Sequence, residues 1–204
     1  MWPVTDIQQT TATVVTGASN SRLSGFTINK TTDNTNAIIS VGTTSGLYKN
    51  LIVTGAGTTD QIGFLILGGT ATITDVKIDN VNVAITTGGP GNPIITSADI
   101  GLTTQPALGV RHSGTSGTTS IYNSVISTTT DDILVTGNGG TIVSHSNSLQ
   151  SSVNNIEDAD STLNDIGDYM SSPVFSVDHD STVQEAAQYM RASNVGSLLV
   201  KKFS

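Results

Sequence analysis

The side chains that could carry out chemistry are few in this chain of 204 residues, which has 16 acidic residues, 8 basic residues, 3 histidines and no cysteine. The lack of cysteine excludes a disulfide framework, a thiolate metal site and a cysteine nucleophile. Hydrolysis of a glycosidic bond needs two carboxylates that flank it, and a calcium site needs several carboxylate or carbonyl oxygens. The candidates for such roles are the pairs Asp131 and Asp132, Asp75 and Asp79, and Arg111 and His112.

Both carboxylate pairs have a simple structural interpretation. Asp131 and Asp132 would point to opposite faces if they lay on a strand, so we expect them to form a turn that leads into the next strand. Asp75, Lys77 and Asp79 are two residues apart, so on a strand their side chains would point to the same outer face. Such a set of charges is typical of a solvated strand face. Only five basic residues occur before position 155, so few cations accompany these carboxylates. We therefore predict no catalytic residue in this region.

The other candidate residues are isolated. His112 and His145 have no partner at the spacing of metal ligands, so we expect two surface histidines and no metal site. The segment Gly88-Gly-Pro-Gly-Asn92 is loosely similar to a calcium-binding nonapeptide, but a single copy indicates a turn. The segment Asn29-Lys-Thr31 fits a glycosylation acceptor. None of these features predicts an enzyme.

Charge and hydropathy exclude two classes of partner. The net charge of −8 and the isoelectric point near 4.5 argue against nucleic acid, whose binders carry clustered lysine and arginine. No apolar run approaches the roughly 18 residues that a membrane helix needs. The first six residues have neither the basic nor the apolar part of a signal peptide. The sequence predicts no nucleic-acid and no membrane partner, and it leaves the compartment open.

The composition of the chain changes near Asn155, which predicts two domains, 1–155 and 156–204. Nineteen of the 21 glycines precede that point, whereas both glutamates, Glu157 and Glu185, follow it. The first part carries five basic and eight acidic groups, and the second carries three basic and eight acidic groups. Good helix formers become frequent only in the second part.

The first part contains an internal repeat in which an apolar residue is followed by two small or polar residues and then by apolar, any, apolar. The copies are Leu23-Ser-Gly-Phe26-Thr-Ile28, Tyr48-Lys-Asn-Leu51-Ile-Val53, Ile73-Thr-Asp-Val76-Lys-Ile78, Ile95-Thr-Ser-Ala98-Asp-Ile100 and Tyr122-Asn-Ser-Val125-Ile-Ser127. The central apolar residues are 25, 25, 22 and 27 positions apart. A second short run rich in β-branched residues lies between successive copies. Runs of this kind, bounded by Gly, Thr, Asn or Asp, are typical of strands.

A unit of about 25 residues cannot bury its own apolar side, so it becomes stable only when copies stack and pair with one another. Over roughly residues 15–150 the pattern resembles the right-handed parallel β-helix family, which includes pectate lyases and phage tail-spikes. The resemblance implies a solenoid that serves as a structural rod or binds a polysaccharide or surface receptor. A β-sandwich with turns every 8–12 residues is the alternative fold. The alternative function is polysaccharide processing or host attachment, with an unrelated C-terminal fusion.

The last forty residues carry the more specific pattern. Leu163, Ile166 and Met170 lie on one helical face, and Pro173 ends that helix. Thr182 with Glu185 forms a capping box for a second helix that extends to about Ser193, and Ser181 with Gln184 fits such a box equally. We expect Val183, Ala186, Ala187 and Met190 to form its buried stripe and Ser197-Leu-Leu-Val200 to form a buried strand.

This order of elements, with these residues, resembles the CBS domain, a regulatory module. The matching positions are Asp165, Ile166, Tyr169, Met170, Pro173, Val174, Val177, Thr182, Val183, Glu185, Ala186, Ala187, Met190 and the segment Asn194-Val-Gly-Ser-Leu-Leu-Val200. In this family AMP, ADP or ATP binds between two units. The resemblance implies that the backbone at Pro173, Val174 and Phe175 contacts the adenine base, and that a Thr/Ser-x-x-Asp segment holds the ribose and phosphate.

The chain stops at Ser204, before that Thr/Ser-x-x-Asp segment, so the sequence predicts an incomplete first CBS unit. We expect its unfinished strand edge to self-associate and its nucleotide binding to need a completed module. A join of two unrelated reading frames is a further alternative, since surface rods and cytosolic sensors rarely share a compartment. The CBS resemblance slightly favours the cytoplasm.

Overall fold

The computed structural model describes residues 5–9, 13–32, 37–57, 59–137, 139–158, 176–178, 180–193 and 199–201. The chain divides into two compact units, Met1–Ser161 and Thr162–Ser204. Strands make up about half of the described residues, and helix makes up a small share of them. No helix among the described residues is long and apolar enough to cross a membrane.

The first unit contains short strands throughout. In chain order they are β1 (Thr5–Gln9), β2 (Val15–Thr16), β3 (Ser21–Ser24), β4 (Phe26–Lys30), β5 (Ile39–Gly42), β6 (Gly46–Thr54), β7 (Ile62–Ile66), β8 (Thr72–Asp79), β9 (Val83–Thr87), β10 (Ile94–Ile100), β11 (Leu108–His112), β12 (Thr118–Tyr122), β13 (Val125–Ile126), β14 (Asp131–Val135), β15 (Thr141–His145), β16 (Ser148–Leu149) and β17 (Asn154–Asp158).

These strands form two parallel sheets that the chain visits in turn. The first sheet has the order β1-β4-β6-β8-β10-β12-β15, with β3, β13 and β16 at its side, and the second has the order β2-β5-β7-β9-β11-β14-β17. Every strand pairs in parallel with its counterpart in the next coil, which gives a β-solenoid of about six turns. Parallel pairing confirms the predicted solenoid and excludes the antiparallel sandwich. The handedness stays a prediction.

The core lies between the sheets and consists of apolar side chains stacked in columns. Tyr48, Ile73, Ile95 and Ile121 are register partners in the first sheet, and all four are buried. Phe64 and its partners Ile39 and Ile85 form a column in the second sheet. The rings of Tyr48 and Phe64 meet edge to face with centroids 5.8 Å apart. Each coil therefore buries its apolar side on its neighbours.

A left-handed residue at the same position of each coil explains the spacing within the repeat. Gly25, Asn50, Asp75, Ser97, Asn123 and Ser146 have φ between +49° and +81°, and they stack in register along the first sheet. On a regular strand, residues three apart would face opposite sides. The left-handed residue between them reverses the side to which the following side chains point, so that both Tyr48 and Leu51 point inward. We call these six residues the corner ladder.

The fifth copy of the repeat is shifted by one residue from its predicted position. The strand pairing aligns Asp99 with Val125 and Ile100 with Ile126, so that Ser124, rather than Val125, occupies the central inward position. Ser124 is accommodated there because its Oγ accepts a hydrogen bond from the Ala98 amide at 3.1 Å and donates one to the Tyr122 carbonyl at 2.9 Å. The predicted alignment was wrong here because a satisfied serine replaces the apolar residue.

The second unit contains β18 (Ser176–Asp178), α1 (Val183–Ser193) and β19 (Leu199–Lys201). The two strands pair in parallel, Ser176 with Leu199 and Asp178 with Lys201. The helix and its end near Ser193 are as predicted. The predicted helix around Leu163–Met170 and the strand residues before Ser176 lie outside the described residues.

The capping box of α1 is confirmed. The Thr182 amide donates to Glu185 Oε2 at 2.8 Å, and the Glu185 amide donates to Thr182 Oγ1 at 3.2 Å. These hydrogen bonds hold the pKa of the Glu185 carboxyl below its usual range. The predicted buried stripe is wrong in part, because Val183 is 88% exposed and Ala187 is exposed, whereas Ala186 and Met190 are half-buried. Val183 is the first residue of the helix, and no described residue of this unit covers it.

Candidate functional site

The outer side of the first sheet carries a groove along the corner ladder. It has a volume of about 320 Å³ and is lined by Asp75, Val76, Lys77, Ser97, Asp99 and Asn123. Asp75, Ser97 and Asn123 are successive members of the corner ladder, and Lys77 pairs in register with Asp99. We call this feature the corner groove. The three ladder side chains are exposed.

Stacking of the coils fixes the spacing of these groups. Adjacent strands lie about 4.8 Å apart, so Asp75, Ser97 and Asn123 repeat at that interval along the solenoid axis. Asn and Asp enter the left-handed region more readily than other residues with a Cβ, which explains their frequency in the ladder. The same backbone geometry therefore creates both the corner and its row of short polar side chains.

The charges of the corner groove compensate one another. Lys49 Nζ lies 3.5 Å from Asp75 Oδ2, and the two side chains are 39% and 46% exposed. Asp99 lies in register with Lys77 on the neighbouring strand. An exposed ion pair contributes little to stability, so the pairing matters more for the charge that a ligand meets. Two lysines and two aspartates make the rim electrically neutral.

An aromatic pair continues this face toward the later coils. The rings of Tyr122 and His145 are stacked, with planes 3° from parallel and centroids 6.0 Å apart. Tyr122 immediately precedes Asn123 of the corner groove. His145 is exposed, as predicted. Nothing in the sequence pattern indicates the pair, because the two residues are 23 positions apart and become neighbours only through the pairing of β12 with β15.

The prediction for Asp131 and Asp132 was wrong. Both residues belong to β14 rather than to a turn, and they are only 4% and 0% exposed. Asn154 Nδ2 donates to Asp131 Oδ1 at 2.9 Å, and Thr128 Oγ1 donates to Asp132 Oδ1 at 3.0 Å. Burial raises the pKa of the Asp132 carboxyl, and the Thr128 hydrogen bond opposes that shift. These partners allow the carboxylates to enter the solenoid, where they line no part of the corner groove.

The prediction of a surface position for His112 was also wrong, since this side chain is 1% exposed. Its Nδ1 lies 3.0 Å from Thr87 Oγ1 and 3.1 Å from Thr119 Oγ1, and Thr119 Oγ1 donates to Thr87 Oγ1 at 2.8 Å. Burial lowers the pKa of the His112 imidazole. The Arg111 side chain lies on the opposite face of β11 and donates from Nη2 to Thr86 Oγ1 at 3.2 Å. Arg111 and His112 therefore form no joint site.

The remaining candidates have structural roles. Asp75 and Lys77 are exposed, and Asp79 is half-buried, as the predicted solvated face requires. Asp79 Oδ1 accepts hydrogen bonds from the amides of Thr103 and Thr104 at 3.0 and 3.4 Å, which ties down the loop after β10. The segment 88–92 contains the predicted turn. Glycosylation in the segment 29–31 stays a prediction.

Within the described ranges, no group of three or more His, Asp or Glu side chains is placed to hold a metal ion. Pro173, Val174 and Phe175, the expected adenine contacts, lie outside the described residues, so their role stays a prediction.

Comparison with known proteins identifies the C-terminal segment. Residues 166–202 match the family model of the CBS domain. No curated protein and no solved structure matches the chain. The β18-α1-β19 segment lies within the matched range. The chain is thus a parallel β-solenoid followed by a CBS-domain segment at residues 166–202.

Proposed function

We propose that the chain is a non-catalytic binding rod joined to a regulatory segment of CBS type. The solenoid contacts a polysaccharide or a surface receptor through the outer side of its first sheet, and the CBS segment contributes to sensing of AMP, ADP or ATP when its module is complete. The observation that carries the proposal is the corner groove, a row of exposed polar side chains repeated from coil to coil.

The length of the solenoid suits a rod that binds an extended partner. About six coils stacked at about 4.8 Å give a sheet roughly 29 Å wide along the axis. A surface of this kind presents one side chain per coil at a constant interval. A partner with its own repeat can therefore make the same contact several times, which raises its total affinity without a deep pocket.

The placement of the carboxylates supports a non-catalytic role. Asp75 is in an exposed ion pair with Lys49, and Asp79 accepts loop amides. Asp131 and Asp132 are buried in the second sheet, away from the corner groove. A general acid for glycoside hydrolysis needs a carboxyl group within reach of the scissile bond and a raised pKa. The only carboxyl that combines burial with a raised pKa among the described residues, Asp132, faces no ligand groove.

Binding is tested by affinity electrophoresis of the 204-residue chain in gels that contain different polysaccharides. We expect retardation in at least one gel and no release of reducing ends or unsaturated sugars on incubation. Migration unchanged in every gel would contradict the polysaccharide-binding role.

One arrangement favours a second candidate, a polysaccharide-processing enzyme. Asp75 and Asp99 line the same groove together with Lys77, and a pair of carboxylates with a cation is the set that such an enzyme uses. Product release that is abolished by Asp99→Asn, but not by Asp60→Asn on an exposed turn, would establish this function in place of the binding rod.

The regulatory role is tested by calorimetric titration with AMP, ADP and ATP. We expect a Kd of about 1 mM or weaker for the 204-residue chain. For a longer chain with a complete pair of CBS units, we expect a micromolar Kd, a gain of about 4 kcal/mol. Equal affinity of both chains would contradict the need for a completed module.

A further inference from the structure

The corner groove has a periodicity and a charge balance that restrict its ligand. We infer that it binds a neutral linear polysaccharide that lies along the solenoid axis, with successive sugars over Asp75, Ser97 and Asn123. The inference rests on the proposed function and narrows it to one site, one orientation and one ligand class.

The spacing of the ladder side chains restricts the ligand. The three ladder side chains that line the groove repeat once per coil, at about 4.8 Å. An extended peptide presents side chains on one face every second residue, at about 6.7 Å, so it would lose register with the ladder within two coils. A linear chain of hexoses offers a new set of hydroxyls at an interval close to one coil. The ladder therefore favours sugars over an extended peptide.

The hydrogen-bonding character of the ladder side chains also restricts the ligand. The ladder side chains are a carboxylate, a hydroxyl and an amide, so the row contains both acceptors and donors. Sugar hydroxyls both donate and accept, and they match such a mixed row. Because all three side chains are short and exposed, they offer contacts at a similar height above the sheet.

The charges beside the groove disfavour an acidic ligand. Lys49 is paired with Asp75 at 3.5 Å, and Asp99 lies in register with Lys77. An acidic polysaccharide would need unpaired cations, as anion sites generally do, whereas here Lys49 is in an ion pair and Lys77 has an aspartate in register on the next strand. The net charge of −8 on the chain further disfavours a polyanion. A neutral polymer needs no unpaired cation and is not repelled by the negative charge of the chain.

Apolar groups beside the ladder suit the carbon faces of sugar rings. Ile52 lies in register with Lys77 and is 41% exposed, and Val125 lies in register with Asp99. Tyr122, stacked on His145, flanks the Asn123 end of the groove. Aromatic rings combine an apolar face with a polar edge and are frequent at sites of this kind.

The test uses the full 204-residue chain and three variants. The ladder variant combines Asp75→Asn, Ser97→Gly and Asn123→Gly, because asparagine and glycine tolerate the left-handed backbone. The matched control is Asn20→Gly, which removes an exposed side chain at φ +59° outside the ladder. A third variant, Asp99→Asn, leaves every left-handed position unchanged and keeps the test valid if the ladder variant does not fold. Circular dichroism verifies the fold of each protein.

Affinity electrophoresis then compares neutral polymers, such as xylan, glucomannan and dextran, with polygalacturonate and alginate. We expect a neutral polymer to bind, with affinity unchanged in Asn20→Gly, weakened roughly tenfold or more in the ladder variant and weakened to a smaller extent in Asp99→Asn. Calorimetry with oligosaccharides of the bound polymer should show affinity rising up to about three or four sugars and then levelling off, since three ladder residues line the groove.

The contrary outcomes show whether the inference alone fails or whether the proposed function fails with it. Binding of acidic polymers only, or neutral binding that the ladder variant and Asp99→Asn retain in full, would overturn the inference and leave a polysaccharide-binding rod. An affinity independent of oligosaccharide length would overturn the axial orientation. Absence of binding to every polymer would overturn both.

Discussion

The solenoid and the CBS segment differ in how they bury their apolar side chains. In the solenoid, 23 buried apolar residues form one cluster that runs from Ile28 to Ile133, although no single repeat is specific. In the CBS segment the motif is specific enough to match a family, yet no described side chain of α1 is buried. Repetition lets a weak local pattern build a core from its own copies. A short motif, however specific, needs partner elements to cover its apolar face.

Removal of a core side chain should therefore have the largest effect in the solenoid. Ile95 is fully buried and its neighbour Ile94 is 39% exposed on the same strand. We expect Ile95→Ala to lower the free energy of unfolding by about 2–5 kcal/mol. Chemical denaturation followed by circular dichroism measures this loss.

Two exposed positions serve as controls. Ile94→Ala and Val183→Ala, the latter at an 88% exposed position, should each change the free energy of unfolding by less than about 1 kcal/mol. A loss in Val183→Ala as large as that in Ile95→Ala would mean that α1 is packed like the solenoid, and the contrast between the two regions would fail.

A β-branched residue in the corner ladder should have the next largest effect. Asn123 has φ +49°, and a valine in the left-handed region costs about 1–2 kcal/mol. We expect Asn123→Val to lose that amount in denaturation, whereas Asn123→Gly stays within about 0.5 kcal/mol of the parent chain. Equal stability of the valine and glycine variants would argue against a left-handed corner.

His112 should give the solenoid a pH dependence that α1 does not share. Burial lowers the pKa of the folded imidazole below its usual 6.5, so between these two pKa values the unfolded chain binds more protons. Stability is therefore full above pH 6.5 and falls as the pH drops toward the folded pKa, by at most about 1.4 kcal/mol per pH unit. His112→Asn should flatten that part of the profile. A parent chain whose stability does not change between pH 7 and pH 5 relative to His112→Asn would contradict this assignment.

The smallest effect is expected at the cap of α1. Thr182→Ala removes the hydroxyl that accepts a hydrogen bond from the Glu185 amide. This variant should therefore have less helix by circular dichroism, with the β signal of the solenoid unchanged. Ser181→Ala, one residue earlier, is the control. Equal loss of helix in both variants would show that the Thr182 box is not the operative cap.

The sequence predicted most of the fold because the relevant forces act locally. The repeated apolar pattern located the strands, and Thr182 with Glu185 located the start of α1. The pattern even contained the corner, since a small or polar residue precedes Leu51 and Val76. Its structural meaning needed the observed positive φ angles.

The errors occurred where distant residues decide the environment. His112 is buried because Thr87, 25 positions earlier, provides a hydroxyl partner. Asp131 is buried because Asn154, 23 positions later, donates to it. The corner groove was missed for the same reason: Asp75, Ser97 and Asn123 become one site only through the stacking of coils.

Disulfide formation in the cysteine-free chain reports on this stacking. The strand register places Ser97 opposite Asn123 in adjacent coils, at a Cα separation of about 4.8 Å, within the range of a disulfide. The pair Ser97→Cys with Asn123→Cys should therefore oxidise readily to an intramolecular bridge, detected by mass spectrometry of tryptic peptides. The pair Ser97→Cys with Ser124→Cys, which the repeat pattern alone would align, should stay reduced because Ser124 points into the core. A preference for the bridge from position 97 to position 124, or no bridge in either chain, would contradict the corner ladder and the groove built on it.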